Sequence, residues 1–198
     1  MKNKRHNVQG RYTVAQVSRK DAIDKLNKRP NISYAFGLFD NIRKNELVAV
    51  ATFGSPPSPA IIRGLCGEDE RYNIIELNSM WVDSSVPNGE VVHFLKKCLT
   101  RIPQNKDIVL SYVPNNSNKR IIPIFRRLGF LYTGLTKERT NRVDKEGNVR
   151  YNRSKDYDPM DTYLVPRPRK HRFVLFNTKD EGRAKELLDK LRYEVYTY

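Results

Sequence analysis

Hydrophobic and polar positions alternate along this chain with two periods, and the switches between them mark a succession of strands and helices. Residues 10–18 come first: Tyr12, Val14 and Gln16 alternate with Thr13, Ala15 and Val17, the two-residue repeat of a strand. Ser18 stands three residues before Asp21, a helix-opening pair, and RKDAIDKLNKR follows until Pro30 ends it. Residues 32–39 (ISYAFGLF) and 46–53 (ELVAVATF) are β-rich, and the DNIRKN between them predicts a hairpin. Each proline in GSPPSP (54–59) removes a ladder donor, so this stretch reads as an ordered loop.

Residues 73–82 (NIIELNSMWV) form the next strand, and DSSVPN (83–88) a turn. Apolar residues at 91, 94, 95, 98 and 99 then give helical periodicity over 89–101, stopped by Pro103. DIVLSYV (107–113) reads as a buried strand, 114–117 as a loop, and 118–128 as a short helix kinked or delayed by Pro123. Gly129 caps it, and 130–134 runs out as a strand. Residues 136–163 are polar and irregular, with a hairpin expected around Lys145–Gly147. A last short strand (173–176) and a charged surface helix (181–191) follow. The alternation predicts an α/β (α+β) fold, a central sheet with helices on its faces. Residues 1–178 are expected to form a single domain, with 179–198 a C-terminal helix and tail of the same domain.

Charge changes this picture most. In 198 residues, 37 Lys and Arg stand against 22 Asp and Glu, a net charge of +15. Such an excess costs self-repulsion and points to a polyanionic partner, nucleic acid first. No apolar run approaches the roughly 20 residues that a membrane span needs. MKNKRHNVQGR leads into no apolar segment, so no secretory leader is expected. Two cysteines, Cys66 and Cys98, give neither a disulfide framework nor a zinc motif. The expectation is a reducing, cytoplasmic setting with no membrane partner. His6, His93 and His171 are widely separated, and no metal site is expected.

Three places carry candidate chemistry. At the 83–89 turn, a helix N-terminus could hold a phosphate or pyrophosphate, and Asn88 and Gly89 permit a tight turn there; a plain capped loop is the alternative. After strand 107–113, Asn115 and Asn116 could orient an acyl carbonyl or cap a helix. Ser111 and Tyr112 close that strand, and Tyr112 and Tyr132 are either proton donors or packing. The third place is basic. Lys119, Arg120, Arg126 and Arg127 are read onto one short helix, Arg139 and Arg153 onto the segment after it, and Arg169, Lys170 and Arg172 into PRPRKHR. Residues 119–153 hold ten Lys or Arg and three Asp or Glu, with Tyr151 interleaved. That pattern suits a nucleic-acid face.

ISYAFGLF, ATFGSPPSP with RGLCGEDE, IIELNSMWVDSSVPN, FLYTG and RPRKHRFVLF, taken in order, resemble the phage Mom-type family over about residues 12–176. The resemblance implies a GNAT-like acyltransferase fold with a splayed central sheet. It also implies an acetyl-CoA or related acyl-CoA cofactor, and transfer of a methylcarbamoyl or acetamido group to adenine in phage DNA against restriction. On it, Val82, Ser84, Ser85, Asn88, Gly89, Asn115 and Asn116 would meet the cofactor, and Glu76, Asn78, Ser111, Tyr112 and Tyr132 are the candidate catalytic groups.

The chain also departs from the family pattern. Asp24 and Lys25 stand where the family has a His-Tyr pair, and Ser79 follows Glu76, Leu77 and Asn78 where an Arg is usual. Pro114 replaces an acid, Arg120 and Phe125 replace a His and a Tyr, and Val92 replaces a Ser. Three readings therefore stay open: an active DNA-modifying acyltransferase, an altered relative that binds nucleic acid without modifying it, and a GNAT enzyme with another acceptor.

Overall fold

A computed structural model describes residues 10–115, 120–150 and 158–197. The first strand, β1 (Tyr12–Gln16), leads into α1 (Arg19–Leu26). The Ser18 hydroxyl accepts from the Asp21 backbone N–H and donates to its carboxylate, closing the expected cap. β2 (Tyr34–Asp40) and β3 (Glu46–Gly54) pair antiparallel as the expected hairpin.

The proline-rich stretch then departs from expectation, because it opens a helix, α2 (Pro59–Cys66). Ser58 caps it by accepting from the Ala60 N–H, and Pro59 sits at the first helical position, where a missing N–H costs nothing. β4 (Ile74–Val82), α3 (Asn88–Leu99) and β5 (Ile108–Pro114) fall where the periodicity puts them. α4 is delayed to Ile121–Arg127, as Pro123 in its first turn allows, and β6 (Leu131–Leu135) follows.

The polar stretch after β6 is more ordered than its composition suggests. β7 (Arg139–Val143) pairs with β8 (Val149–Arg150) around Gly147, whose φ of +83° suits glycine, as the expected hairpin. β9 (Tyr163–Arg167) pairs with the other edge of β7, completing a separate three-stranded sheet. The last strand is longer than expected: β10 runs Lys170–Phe176, before α5 (Glu181–Lys190).

The main sheet has the order β1-β2-β3-β4-β5-β10-β6. Every neighbouring pair is antiparallel except β4 and β5, which run parallel through the α3 crossover. α3 and α4 cover one face, where Phe94, Phe125, Phe130 and Phe173 pack with Leu77 and Val109. Phe125 stacks on Phe130 at 4.5 Å between centroids and meets Phe173 edge-on. α2 and α5 cover the other face, where Leu65, Leu187, Leu110 and Val174 form a second cluster. α5 is held there by Arg183, which bonds Glu70 and Asp107, and by Lys190, which bonds Glu70. No helix is long and apolar enough to cross a membrane among the described residues.

Candidate functional site

The sheet opens between its two parallel strands. Ladder pairing joins Ile74–Leu77 of β4 to Ile108–Ser111 of β5 and then stops. Beyond that point β4 continues along β3 as far as Val82, while β5 continues along β10 to Pro114. The register explains the parting. Phe53 faces Leu77 and Thr52 faces Ser79, so Asn78 is the extra residue of a bulge. A bulge bends its strand and sharpens the local twist.

Both ends of the Asn78 side chain hold the bulge in place. Its Oδ1 accepts from the Thr52 hydroxyl at 2.8 Å, and its Nδ2 donates to the Asn31 carbonyl at 2.6 Å. Gly54 makes the approach of Asn31 possible, since a Cβ there would come within 1.9 Å of the Asn31 oxygen. At the parting itself, the Ser111 hydroxyl donates to the Leu77 carbonyl at 2.9 Å, so that buried acceptor keeps a partner.

A cavity of about 370 Å³ fills the parting on the α3 and α4 side. Residues 77–80 and Val82 of β4 form one wall, and residues 111–114 of β5 the other. Val91 and the 120–125 segment, including Arg120 and Phe125, close it. The Arg120 guanidinium donates to the Asn88 side chain and the Val86 carbonyl, which places a cation beside the start of α3. Pro87 holds the cap position of α3 and gives no side-chain cap, leaving its first N–H groups open to a ligand.

The turn before α3 is internally bonded. Asp83 Oδ1 accepts from the Ser85 N–H and hydroxyl, and these bonds lower the carboxyl below its usual range. Arg43 donates to the same hydroxyl, so Ser85 is engaged within the turn. Ser84, Asn88 and Gly89 are exposed around it.

A second cavity, of about 480 Å³, lies on the opposite face. The N-terminal end of α2 opens onto it, as do Glu76, Tyr112, Lys170 and Arg172 of the main sheet and Lys137, Arg139 and Arg167 around the smaller one. Glu76 is 8% exposed, its Oε2 has no hydrogen-bond partner among the described residues, and burial raises its carboxyl against the pull of Lys170. Arg172 is 9% exposed and donates to Thr133 through Nε and Nη2, with the Tyr193 ring 3.2 Å from its guanidinium carbon. No carboxylate among the described residues forms an ion pair with Arg172, Lys170, Arg167 or Arg139. Tyr112 lines both cavities, and burial pushes its phenol up to about 12.

The candidate residues therefore separate. Asn78, Ser111, Tyr112, Val82 and Arg120 line the first cavity, while Glu76, Tyr112, Arg139, Lys170 and Arg172 line the second. Tyr132 and Asn115 line neither and are joined through His171. The Tyr132 hydroxyl is 3.0 Å from Nδ1, and the Asn115 Oδ1 is 2.8 Å from Nε2. Burial lowers His171 and favours the neutral ring, which donates from Nε2 and accepts at Nδ1. Arg126 and Arg127 lie on the exposed side of α4, and Arg169 donates to the Thr136 carbonyl. Asn116, Lys119, Tyr151 and Arg153 lie outside the described residues.

PRPRKHR, read as part of a nucleic-acid face, divides between two strands: Pro166 and Arg167 end β9, and Lys170 opens β10. Its second half is strand, with Lys170 and Arg172 turned toward the second cavity and His171 toward the other face. The alternation of FVLF continues into it, and that was the available signal. Lys137 and Tyr193 carried no such signal, because the approach to a separate sheet and the C-terminal tail bring them in. Among the described residues no group of three or more His, Cys, Asp or Glu side chains is placed to hold a metal ion.

Comparison with known structures finds acetyltransferases. A probable acetyltransferase from Staphylococcus epidermidis is 12% identical with a TM-score of 0.51, the match covering 84% of this chain and 99% of that one. An N-acetyltransferase from Staphylococcus aureus is 17% identical (TM-score 0.49; 84% and 99%), and Arabidopsis thaliana NAA60, solved with acetyl-CoA, is 10% identical (TM-score 0.49; 83% and 99%). The first of these likenesses shows the GNAT fold, with the mixed seven-stranded sheet described above. No curated protein matches the sequence. A family model, that of the Mom protein family, matches residues 11–197, and the chain belongs to that family.

Proposed function

We propose that this protein is an acyl-CoA-dependent transferase that modifies adenine in DNA. The observation carrying this reading is the parting of β4 and β5, which opens a cavity beside Arg120 and the uncapped start of α3. The residues present fit an acyl-CoA. Past Leu77 the β4 edge that faces the parting has no strand beside it among the described residues and offers backbone groups to an extended amide chain, and a helix N-terminus with a neighbouring guanidinium suits a pyrophosphate. The bound thioester would supply an activated acyl group.

The chain's own residues do the rest. Val91, Ile124 and Phe125 keep the cavity's inner end apolar and exclude water. Tyr112, its phenol pushed up to about 12 by burial, holds a proton at its Oη on the α2 and α5 side of the sheet. The net charge of +15 supports a polyanionic acceptor.

A second reading, binding without transfer, is favoured by Phe125. A fully buried, stacked phenyl ring stands where the resembled family has a proton-carrying Tyr. Two measurements separate the readings. Calorimetric titration with acetyl-CoA should show saturable binding to the purified chain. DNA from expressing cells, digested to nucleosides and weighed, should contain a mass-shifted deoxyadenosine. Acetyl-CoA binding with unmodified deoxyadenosine would leave the second reading standing, and no acetyl-CoA binding would sink the first.

A further inference from the structure

We infer that the second cavity, on the α2 and α5 face, is a nucleotide-binding site that holds a phosphate ester against Lys170, Arg172, Arg167 and Arg139 while Glu76 receives an N–H group of the same ligand. Three independent features of the cavity point to this ligand.

The first is uncompensated positive charge. A buried guanidinium without a carboxylate is costly, and truncating around it does not relieve the cost; an anion does. Arg172 is 9% exposed, donates to Thr133 and meets the face of Tyr193, and among the described residues no carboxylate forms an ion pair with it. Lys170 is half-buried beside it, within reach of the Glu76 charge but in no ion pair among the described residues. Arg139 and Arg167 approach from the smaller sheet, where they face each other across β7 and β9. The N-terminal end of α2 adds a partial positive charge to the same space.

The second is Glu76, an acid among these bases that pairs with none of them. Its Oε2 is buried, and among the described residues it has no hydrogen-bond partner. Such a group is ordinarily satisfied, and Glu76 is one of the residues that line the cavity. Inorganic phosphate alone would leave this carboxyl group unused. The matching ligand combines an anionic ester with a neutral N–H donor a few ångströms away, as an amino-substituted base and its phosphate do.

The third is Tyr112, which lines both cavities and turns its ring to this face, where it packs with Leu110 and Val174 and its hydroxyl feels Arg172, Arg139 and Glu76. The binding claim itself does not depend on transfer.

The test uses the full chain and a fluorescein-labelled single-stranded oligonucleotide of about 12 nucleotides. Fluorescence anisotropy at low salt, about 50 mM, reads its binding. Adenosine monophosphate, adenosine and inorganic phosphate serve as competitors, and acetyl-CoA affinity is measured in parallel. Lys170→Ala combined with Arg167→Ala should weaken oligonucleotide binding by about tenfold or more, the loss expected for charged hydrogen bonds. Acetyl-CoA affinity should stay within about twofold, because neither residue lines the first cavity. Glu76→Gln should weaken adenosine monophosphate binding while leaving phosphate competition unchanged.

Adenosine monophosphate competing as well as the unlabelled oligonucleotide would identify a free nucleotide as the ligand. Competition by the oligonucleotide alone would identify a nucleic-acid strand, and either result supports the site. Unchanged oligonucleotide binding in the double variant, with its thermal unfolding intact, overturns the inference. So does a parallel loss of acetyl-CoA affinity. Should wild-type protein bind the oligonucleotide in this cavity but no acetyl-CoA, the transferase reading fails and this one stands.

Discussion

The hydroxyl of Ser111 donates to the carbonyl of Leu77 at 2.9 Å, at the last rung that joins β4 to β5. The bond seals the ladder where the strands diverge. Ser111→Ala removes the donor and leaves a buried carbonyl, a cost of about 1 to 3 kcal/mol. The thermal midpoint should fall by several degrees, as differential scanning calorimetry would record. An unchanged midpoint would mean that the parting needs no seal.

Gly54 carries the other side of the same feature. A methyl group there meets the Asn31 carbonyl, which cannot withdraw without releasing Asn78. Gly54→Ala should destabilise by about 1 to 3 kcal/mol, the range for overpacking. It should also weaken acetyl-CoA binding, since the bulge shapes the first cavity. Gly10→Ala, where a Cβ has open space, is the matched control. Equal urea midpoints for the two variants would refute the account.

Acid sensitivity should come from the base of α5. Hydrogen bonds from Arg183, then Lys190 and Asn73, hold the Glu70 carboxyl down to about 2. The unfolded chain takes up this proton near its ordinary value of 4.5, so the contribution is complete above that pH and fades as pH falls toward 2. Arg183→Met breaks the network and should cost on the order of 3 kcal/mol at neutral pH. Urea unfolding from pH 3 to 7 should show a flatter acid limb in the variant. Parallel limbs would place the acid-labile group elsewhere.

Glu76 acts with the opposite sign. Burial raises its carboxyl, so its stabilising form is the protonated one, and stability is lost as pH rises through the raised value. Glu76→Gln should match the parent protein at low pH and exceed it in stability above neutrality. Chemical denaturation at pH 4 and pH 8 checks this. A variant less stable at both pH values would contradict it.

Both cysteines should be silent in the folded protein. Burial pushes the Cys66 thiol up to about 11 and the Cys98 thiol higher still. A thiolate-specific reagent such as Ellman's should titrate no thiol at neutral pH in native protein and both in denaturant. Rapid reaction without denaturant would show that one of them opens to solvent.

Local pattern determined much of this molecule. The Ser18 cap, the 34–54 hairpin, strand β4, helix α3 and the Gly147 hairpin follow from periodicity and turn chemistry, which act over a few residues. The net charge and the ordered family segments were equally legible. α2 was missed because its prolines were read as breakers, although Ser58-Pro59 is a cap followed by a first helical residue. Tertiary structure alone decided the rest. A bulge at Asn78 depends on Thr52 and Asn31, which are distant in sequence, and it parts the strands. The insertion of β10 between β5 and β6 sends Lys170 and Arg172 inward from what reads as part of a nucleic-acid face. Glu76 and Tyr112 sit on adjacent strands joined by a crossover, so only the assembled sheet reveals which face each one serves. Which side of a sheet a side chain takes is set by register between remote strands, and a one-residue slip reverses it.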